Sequence, residues 1–213
     1  MDTAERDRFN AWAPSYDDSW VQRIFAPLHR ATLAYAAVLQ PSPRRVLDVG
    51  CGTGALLGAA AVRFAGARLL GVDPALGMVR RAAGRVPAGA GLACADASRL
   101  PLPDGSVDLI ISTMSFNFWP RDAGVREVSR VLAPGGHLVI ADLFAVGWLR
   151  PVAPVLTAGQ RARGRREMEA LLRGAVLVVA GWRTVWRGGP LPVLRAVAGA
   201  KPVAADGNQQ PGG

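Results

Sequence analysis

At 213 residues and 22.4 kDa, half hydrophobic and 19% charged, the chain has the mass for one domain with its own core, and its composition excludes a disordered protein. No apolar run is long enough to span a bilayer, the N-terminal MDTAERDRFN is charged rather than signal-like, and Cys51 and Cys94 form neither a metal spacing nor a disulfide framework; a cytoplasmic protein without a metal centre is expected. The net charge is +9, but all of the 25 basic residues except Lys201 are arginine, they are scattered, and Ala, Gly and Pro are abundant with them, which fits a GC-rich coding bias better than a phosphate-binding face, so no nucleic-acid partner is expected.

Residues 1–40 read as helical. Ile24, Leu28, Ala31, Tyr35 and Val38 recur at three- and four-residue steps, and Pro14 and Pro27 are expected to divide the region into short helices. After the connector QPSPRR the pattern alternates. Strands are predicted at 45–49, 67–73, 91–96, 106–113 and 136–144, with helices at 54–65, 75–86 and 121–132. Short apolar strands separated by helices predict parallel pairing with helices on both faces of the sheet. The end differs: a helix at 164–174 precedes apolar runs at 175–186 and 191–198 joined by a tight turn, which predicts an antiparallel pair. The expected fold is therefore α/β and Rossmann-like, a doubly wound, mostly parallel seven-stranded sheet with an antiparallel C-terminal pair. The polar, Gly/Pro-containing tail 202–213 is expected to be disordered.

The stretch VLDVGCGTGALL, 46–57, carries the functional signal. A glycine-rich loop between the first strand and first helix lies where a doubly wound sheet binds ligands. Gly50, Gly52 and Ala55 satisfy the loose dinucleotide fingerprint, but Asp48 argues against it, because an ionised carboxylate repels a pyrophosphate. A positively charged ligand reverses the sign.

VLDVGCGTG resembles the cofactor loop of class I S-adenosylmethionine-dependent methyltransferases, and PALGM, CADASRLPLPDGSVDLI and REVSRVLAPGGHLVIAD resemble that family's later segments in order. The resemblance is closest to the small-molecule branch that includes ubiquinone and menaquinone methyltransferases and secondary-metabolite tailoring enzymes. It implies S-adenosyl-L-methionine as cofactor and a small, apolar or aromatic acceptor. By the same match, Asp48, Gly50 and Gly52 form the cofactor loop, Asp73 bonds the ribose hydroxyls, Pro74 and Met78 lie near the adenine, Asp96 meets the adenine amino group and Ala97 offers a backbone N–H, with Ser112 at the end of the fourth strand also on the cofactor site. Residues 1–42 become a helical cap over the cofactor and 43–201 the methyltransferase core. RFNAWAPSYDD resembles the branch's aromatic and Tyr-Asp element, which places Tyr16 at the methionine end, while Phe9, Trp12 and Trp20 are equally packing residues.

Each assignment has a plainer counterpart: Asp48 as a cap on loop N–H groups, Asp73 as a helix cap before Pro74, Asp96 as a turn residue. No catalytic base is evident. His29, on the N-terminal helix, is the weak candidate; His137 is placed away from the site; and SFNFWPRD has Asn117 and Phe118 where similar proteins often carry histidine. Trp148, Leu149, Val152, Val155 and Leu156 line an acceptor pocket, pack on the sheet, or meet a second copy in a homodimer; the sequence leaves these open. The alternative function is an S-adenosylmethionine-binding fold-mate that is a cyclase, a decarboxylase or a non-catalytic subunit. A nicotinamide oxidoreductase is disfavoured by Asp48 and the antiparallel end.

Overall fold

The computed structural model describes residues 1–19, 21–144, 164–186 and 194–203. Trp20 and the five apolar residues of the 145–163 segment named above lie outside them. Helix α1 (Thr3–Trp12) runs into a 3-10 segment (Ala13–Asp18) and α2 (Val21–Leu39). The core then alternates: β1 (Arg45–Val49), α3 (Ala55–Arg63), β2 (Arg68–Asp73), α4 (Leu76–Ala83), β3 (Gly91–Cys94), β4 (Val107–Thr113), α5 (Arg121–Val131) and β5 (Leu132–Asp142). Helix α6 (Arg165–Gly174), β6 (Val178–Trp186) and β7 (Leu194–Ala200) complete it.

The seven strands form one sheet in the order β3-β2-β1-β4-β5-β7-β6. Strands β1 to β5 pair in parallel, and β7 inserts antiparallel between β5 and β6. The expected antiparallel pair is thus present, with β7 alone running against the rest. The order reverses between β1 and β4, which opens the ligand crevice of doubly wound sheets above their carboxyl ends.

The two-residue side-chain period divides the core. Leu47, Val49, Ile110, Leu138 and Ile140 face α5 and α6, while Val46, Leu109, Ile111, Val139 and Ala141 face α2 and α3. Asp48 shares the parity of Val46, so the strand itself carries this carboxylate into the apolar layer beneath α2 and α3.

Two sequence expectations change. Pro27 lies inside α2 rather than ending it. A proline beyond the first turn costs about 3 kcal/mol, but α2 buries Leu28, Leu33, Ala36 and Ala37, and each buried leucine alone contributes roughly 1.5–3 kcal/mol. Strand β5 begins at Leu132 rather than at 136, because the Pro134-Gly135-Gly136 turn is absorbed as an irregularity: pairing with β4 jumps from Val107↔Leu132 to Leu109↔His137.

Helix α6 ends in a Schellman motif. Leu177 N–H donates to Leu172 O (2.9 Å) and Val176 N–H to Arg173 O (3.0 Å), with Leu172 and Leu177 both buried. The left-handed position belongs to Val176, at φ +61° and 74% exposed. A branched residue there is strained by roughly 1–2 kcal/mol and buries nothing in return. Val176→Gly is expected to raise stability by about 1 kcal/mol, read as a higher urea midpoint at unchanged slope.

Candidate active site

The loop after β1 makes three left-handed turns on glycine, at Gly50 (φ +78°), Gly52 (φ +52°) and Gly54 (φ +82°). Gly50 and Cys51 N–H both donate to Val72 O (2.8 and 3.0 Å), which folds the loop against β2. Asp73, closing β2, ties the two cofactor segments together: Oδ2 accepts Gly52 N–H at 3.0 Å and Oδ1 accepts Ala75 N–H at 2.9 Å. Helix α4 has no cap of its own; Asn10 of α1 supplies one, its Oδ1 accepting Gly77 N–H at 2.8 Å.

A cavity opens above this crevice, where doubly wound sheets bind their ligands. Tyr16, Gly50, Gly52, Asp73, Pro74, Met78, Asp96 and Ala97 line it, so eight residues singled out in the sequence converge there. Asp48 and Ser112 are buried and do not reach its wall. His29 is elsewhere, in a separate groove with Phe25, Arg30 and Arg85, and does not reach the cofactor cavity. His137 lies in β5 opposite Leu109 and Ala200, also off the cavity.

Asp48 is 1% exposed, and among the described residues neither carboxylate oxygen has a partner. Burial pushes its pKa well above the ordinary value, and the charge of Asp73 adds to that. Burial also raises Asp73, against the two N–H groups that oppose it. Asp96 differs: burial would raise it, but the Met1 amino group (2.8 Å) and Ser98 hold it below the usual range. A site with two carboxylates on its wall, Asp73 and Asp96, and a third, Asp48, buried near Asp73 without a partner among the described residues, suits a cation and opposes a pyrophosphate. The residues therefore fit S-adenosyl-L-methionine, whose ammonium and sulfonium carry positive charge and which has no phosphate.

Sequence reasoning missed two groups. Ser115, after β4, is a hub: its hydroxyl donates to Val49 O (2.9 Å), meets Ser112 Oγ (2.8 Å) and accepts from Trp119 Nε1 (3.2 Å). Its neighbour Met114 is a non-glycine at φ +53° on the cavity wall, a local strain of the kind found at functional sites. The second group is Asp142, fully buried at the end of β5, where burial lifts its pKa to about 6. It accepts from Leu143 N–H (2.7 Å) and from Asn117 N–H and Nδ2 (3.3 and 3.0 Å). The signal was the one that found Asp73, an apolar strand ending in an acid.

Burial lowers His29 to about 4, with Arg85 adding to the effect. A depressed histidine favours the folded state above the unfolded pKa and loses that contribution as pH falls toward the folded value. His29→Gln is expected to flatten the loss of stability between about pH 6.5 and 4 in urea titrations, and to leave cofactor affinity unchanged.

The fold and the site define a Rossmann-like protein built to hold a cationic nucleoside cofactor. Residues 47–140 match the family model described as a methyltransferase domain. The chain is 35% identical over 191 residues, 84% of its length and 70% of the relative's, to a malonyl-[acyl-carrier protein] O-methyltransferase of Geobacter sulfurreducens. It is 40% identical to that of Methylococcus capsulatus (62% of this chain, 49% of the relative) and 36% identical to a demethylmenaquinone methyltransferase of Thermus thermophilus (63% of each). The chain thus spans about half to two thirds of these relatives' own length. A Haloferax volcanii putative methyltransferase, solved in complex with the Trm112 activator, shares the fold at TM-score 0.72 and 22% identity, covering 91% of this chain and 97% of that one. The chain belongs to the class I S-adenosylmethionine-dependent methyltransferases. Its family's methyl donor is S-adenosyl-L-methionine.

Proposed function

We propose that this chain transfers a methyl group from S-adenosyl-L-methionine to a small, apolar or aromatic organic acceptor. The observation that carries the reading is the joining of an acidic pole, Asp73 and Asp96 with Asp48 buried near Asp73, to an aromatic wall, Phe9, Tyr16, Phe118 and Trp119, around one cavity. That wall is a connected set: Phe9 meets Phe118 edge-on at 5.2 Å and Trp12 meets Tyr16 at 4.6 Å, which binds α1 to the turn after β4. The relatives named for demethylmenaquinone support an aromatic acceptor of this kind, while those named for malonyl-[acyl-carrier protein] point to a carboxylate instead.

The bound cofactor supplies a methyl group already activated by its sulfonium. The chain's contribution is positioning and exclusion of water. Asp73 would hold the ribose, Pro74 and Met78 the adenine face, and the glycine loop the methionine portion, so that the methyl faces the aromatic wall. Neither histidine reaches the cavity, so an acceptor that is acidic enough to ionise in water, a quinol or a carboxylate, suits the site best.

Calorimetric titration with S-adenosylhomocysteine tests the cofactor half. Micromolar binding is expected, weakened about tenfold or more, some 1.4 kcal/mol, by Asp73→Ala. Formation of S-adenosylhomocysteine with 1,4-naphthoquinol or a malonyl thioester tests the acceptor half; binding without turnover on either would move the chain to the non-methylating reading.

A further inference from the structure

Thr53, in the glycine loop, is 2% exposed, so its hydroxyl must find protein partners. It donates to Asp17 Oδ1 at 2.7 Å and accepts from Arg85 Nη1 at 2.9 Å. Arg85 closes the figure, with Nη1 on Asp17 Oδ1 at 3.1 Å and Nη2 on Oδ2 at 2.9 Å, a bidentate pair. Arg81 stands at 3.7 Å from the same carboxylate. Three segments meet in this triangle: the 3-10 segment through Asp17, the glycine loop through Thr53, and the end of the α4 region through Arg85.

Asp17 directly follows Tyr16, which lines the cofactor cavity, while Asp17 and Arg85 line the groove on the other side. The segment that carries Tyr16 also supplies Phe9 and Met1 to the cavity. We propose that Asp17 is a positioning residue, a latch that holds residues 1–18 closed over the cofactor by pairing Arg85 and Thr53, and that opening the triangle sets the rate of cofactor release. The proposal rests on the cavity being the cofactor site.

The chemistry suits a latch more than a fixed staple. Asp17 has 18% and Arg85 39% of its side chain exposed, so water and salt reach the ion pair and it opens at modest cost. Two other anchors hold the segment: Asn10 on Gly77 N–H, which is uncharged and insensitive to salt, and the Met1 amino group on Asp96 (2.8 Å), a second ion pair. Because Thr53 sits between two glycines of the loop, any ligand that settles the loop also settles Thr53 and favours the closed triangle; a closed triangle in turn keeps Tyr16 on the ligand. The coupling is reciprocal.

Stopped-flow measurement of S-adenosylhomocysteine association and dissociation tests this. Asp17→Asn is expected to speed dissociation by about tenfold, equivalent to 1.4 kcal/mol, with a smaller change in association. Dissociation from the wild type should rise with salt more steeply than that from the variant, which keeps only the Met1–Asp96 pair as a charged anchor. The charge-swapped pair Asp17→Arg with Arg85→Asp, which keeps a donor and an acceptor for Thr53, should recover most of the loss. A merely structural Asp17 would lower the melting temperature without this rescue or salt signature. Dissociation within twofold of wild type in folded Asp17→Asn, or in Arg85→Gln should the first variant not fold, overturns the latch. A wild type that binds no S-adenosylhomocysteine overturns the cofactor reading, and the latch with it.

Discussion

Replacing Asp48 by Asn is expected to raise the stability of the cofactor-free protein while removing most of its cofactor affinity. The carboxylate lies on the α2/α3 face of β1, 1% exposed, with both oxygens unpartnered among the described residues. Its folded pKa stands well above its unfolded one, through burial first and the Asp73 charge second. A group raised in this way supports folding only while it is protonated; its contribution is present below the unfolded pKa and is lost as pH rises toward the folded value. At neutral pH Asp48 is therefore a liability to the empty protein, and the neutral amide removes it, for a gain of about 1 kcal/mol or more. The cofactor answers the same charge. A cation in the neighbouring cavity favours the ionised carboxylate, lowers its pKa and expels a proton, so affinity rises with pH. Calorimetry in two buffers of different ionisation heat should show proton release on binding S-adenosylmethionine to the wild type and less with Asp48→Asn, whose affinity falls at least about tenfold. Asp73 and Cys51 face the same region; the thiol is pushed well up, chiefly by burial and then by both carboxylates, and so stays neutral, which leaves Asp73 as the source of the residual proton. Unchanged proton release in Asp48→Asn would remove Asp48 from this role.

The sequence made the strand order of functional segments readable because each carried a local signature: an apolar run of four to seven residues ending in Gly or Asp, then a helix. The resemblance of those segments to the methyltransferase motifs singled out Asp73, Pro74, Met78, Asp96 and Ala97, and all five reach one cavity. Pro27 was misread because a helix former's packing, which is tertiary, outweighed a local breaker. The position of His29, in a groove apart from the cavity, was not readable for a different reason. Its helix lies beside the cofactor domain, but helical phase directs the ring into an outer groove, and phase relative to a distant site is not a property of sequence spacing. The Ser115–Val49 bond and the Asp17–Thr53–Arg85 triangle were invisible because the partners lie far along the chain: 66 positions separate Ser115 from Val49, and 68 separate Arg85 from Asp17. Such pairs acquire meaning only when the β1/β4 switch and the N-terminal segment bring their elements together.

Gly50 and Gly52 look equivalent in the motif, and the structure separates their roles. A Cβ at Gly50 would stand 2.2 Å from Ser115 Oγ and 2.4 Å from Ser115 Cβ, on a backbone already at φ +78°. Gly50→Ala therefore costs about 1–2 kcal/mol for the left-handed conformation, and it also displaces the hydroxyl that serves Val49 O, Ser112 and Trp119, at roughly 0.5–1.5 kcal/mol for each bond. A loss of about 3 kcal/mol or more is expected in urea unfolding. Ser115→Gly removes the obstruction, so the double variant should be more stable than the sum of the single losses implies, by at least about 1 kcal/mol. Gly52 is different: among the described residues a Cβ there meets nothing within 4 Å, yet the residue lines the cavity at φ +52°. Gly52→Ala should lose only about 1 kcal/mol of stability. Its methyl group would occupy space that the protein leaves empty, so S-adenosylhomocysteine affinity should fall by about tenfold or more in a protein that still folds. One glycine is required so that the loop can close on Ser115, the other so that a ligand can approach the backbone. If Gly52→Ala bound S-adenosylhomocysteine as tightly as the wild type, the space beside Gly52 would not be where the cofactor lies.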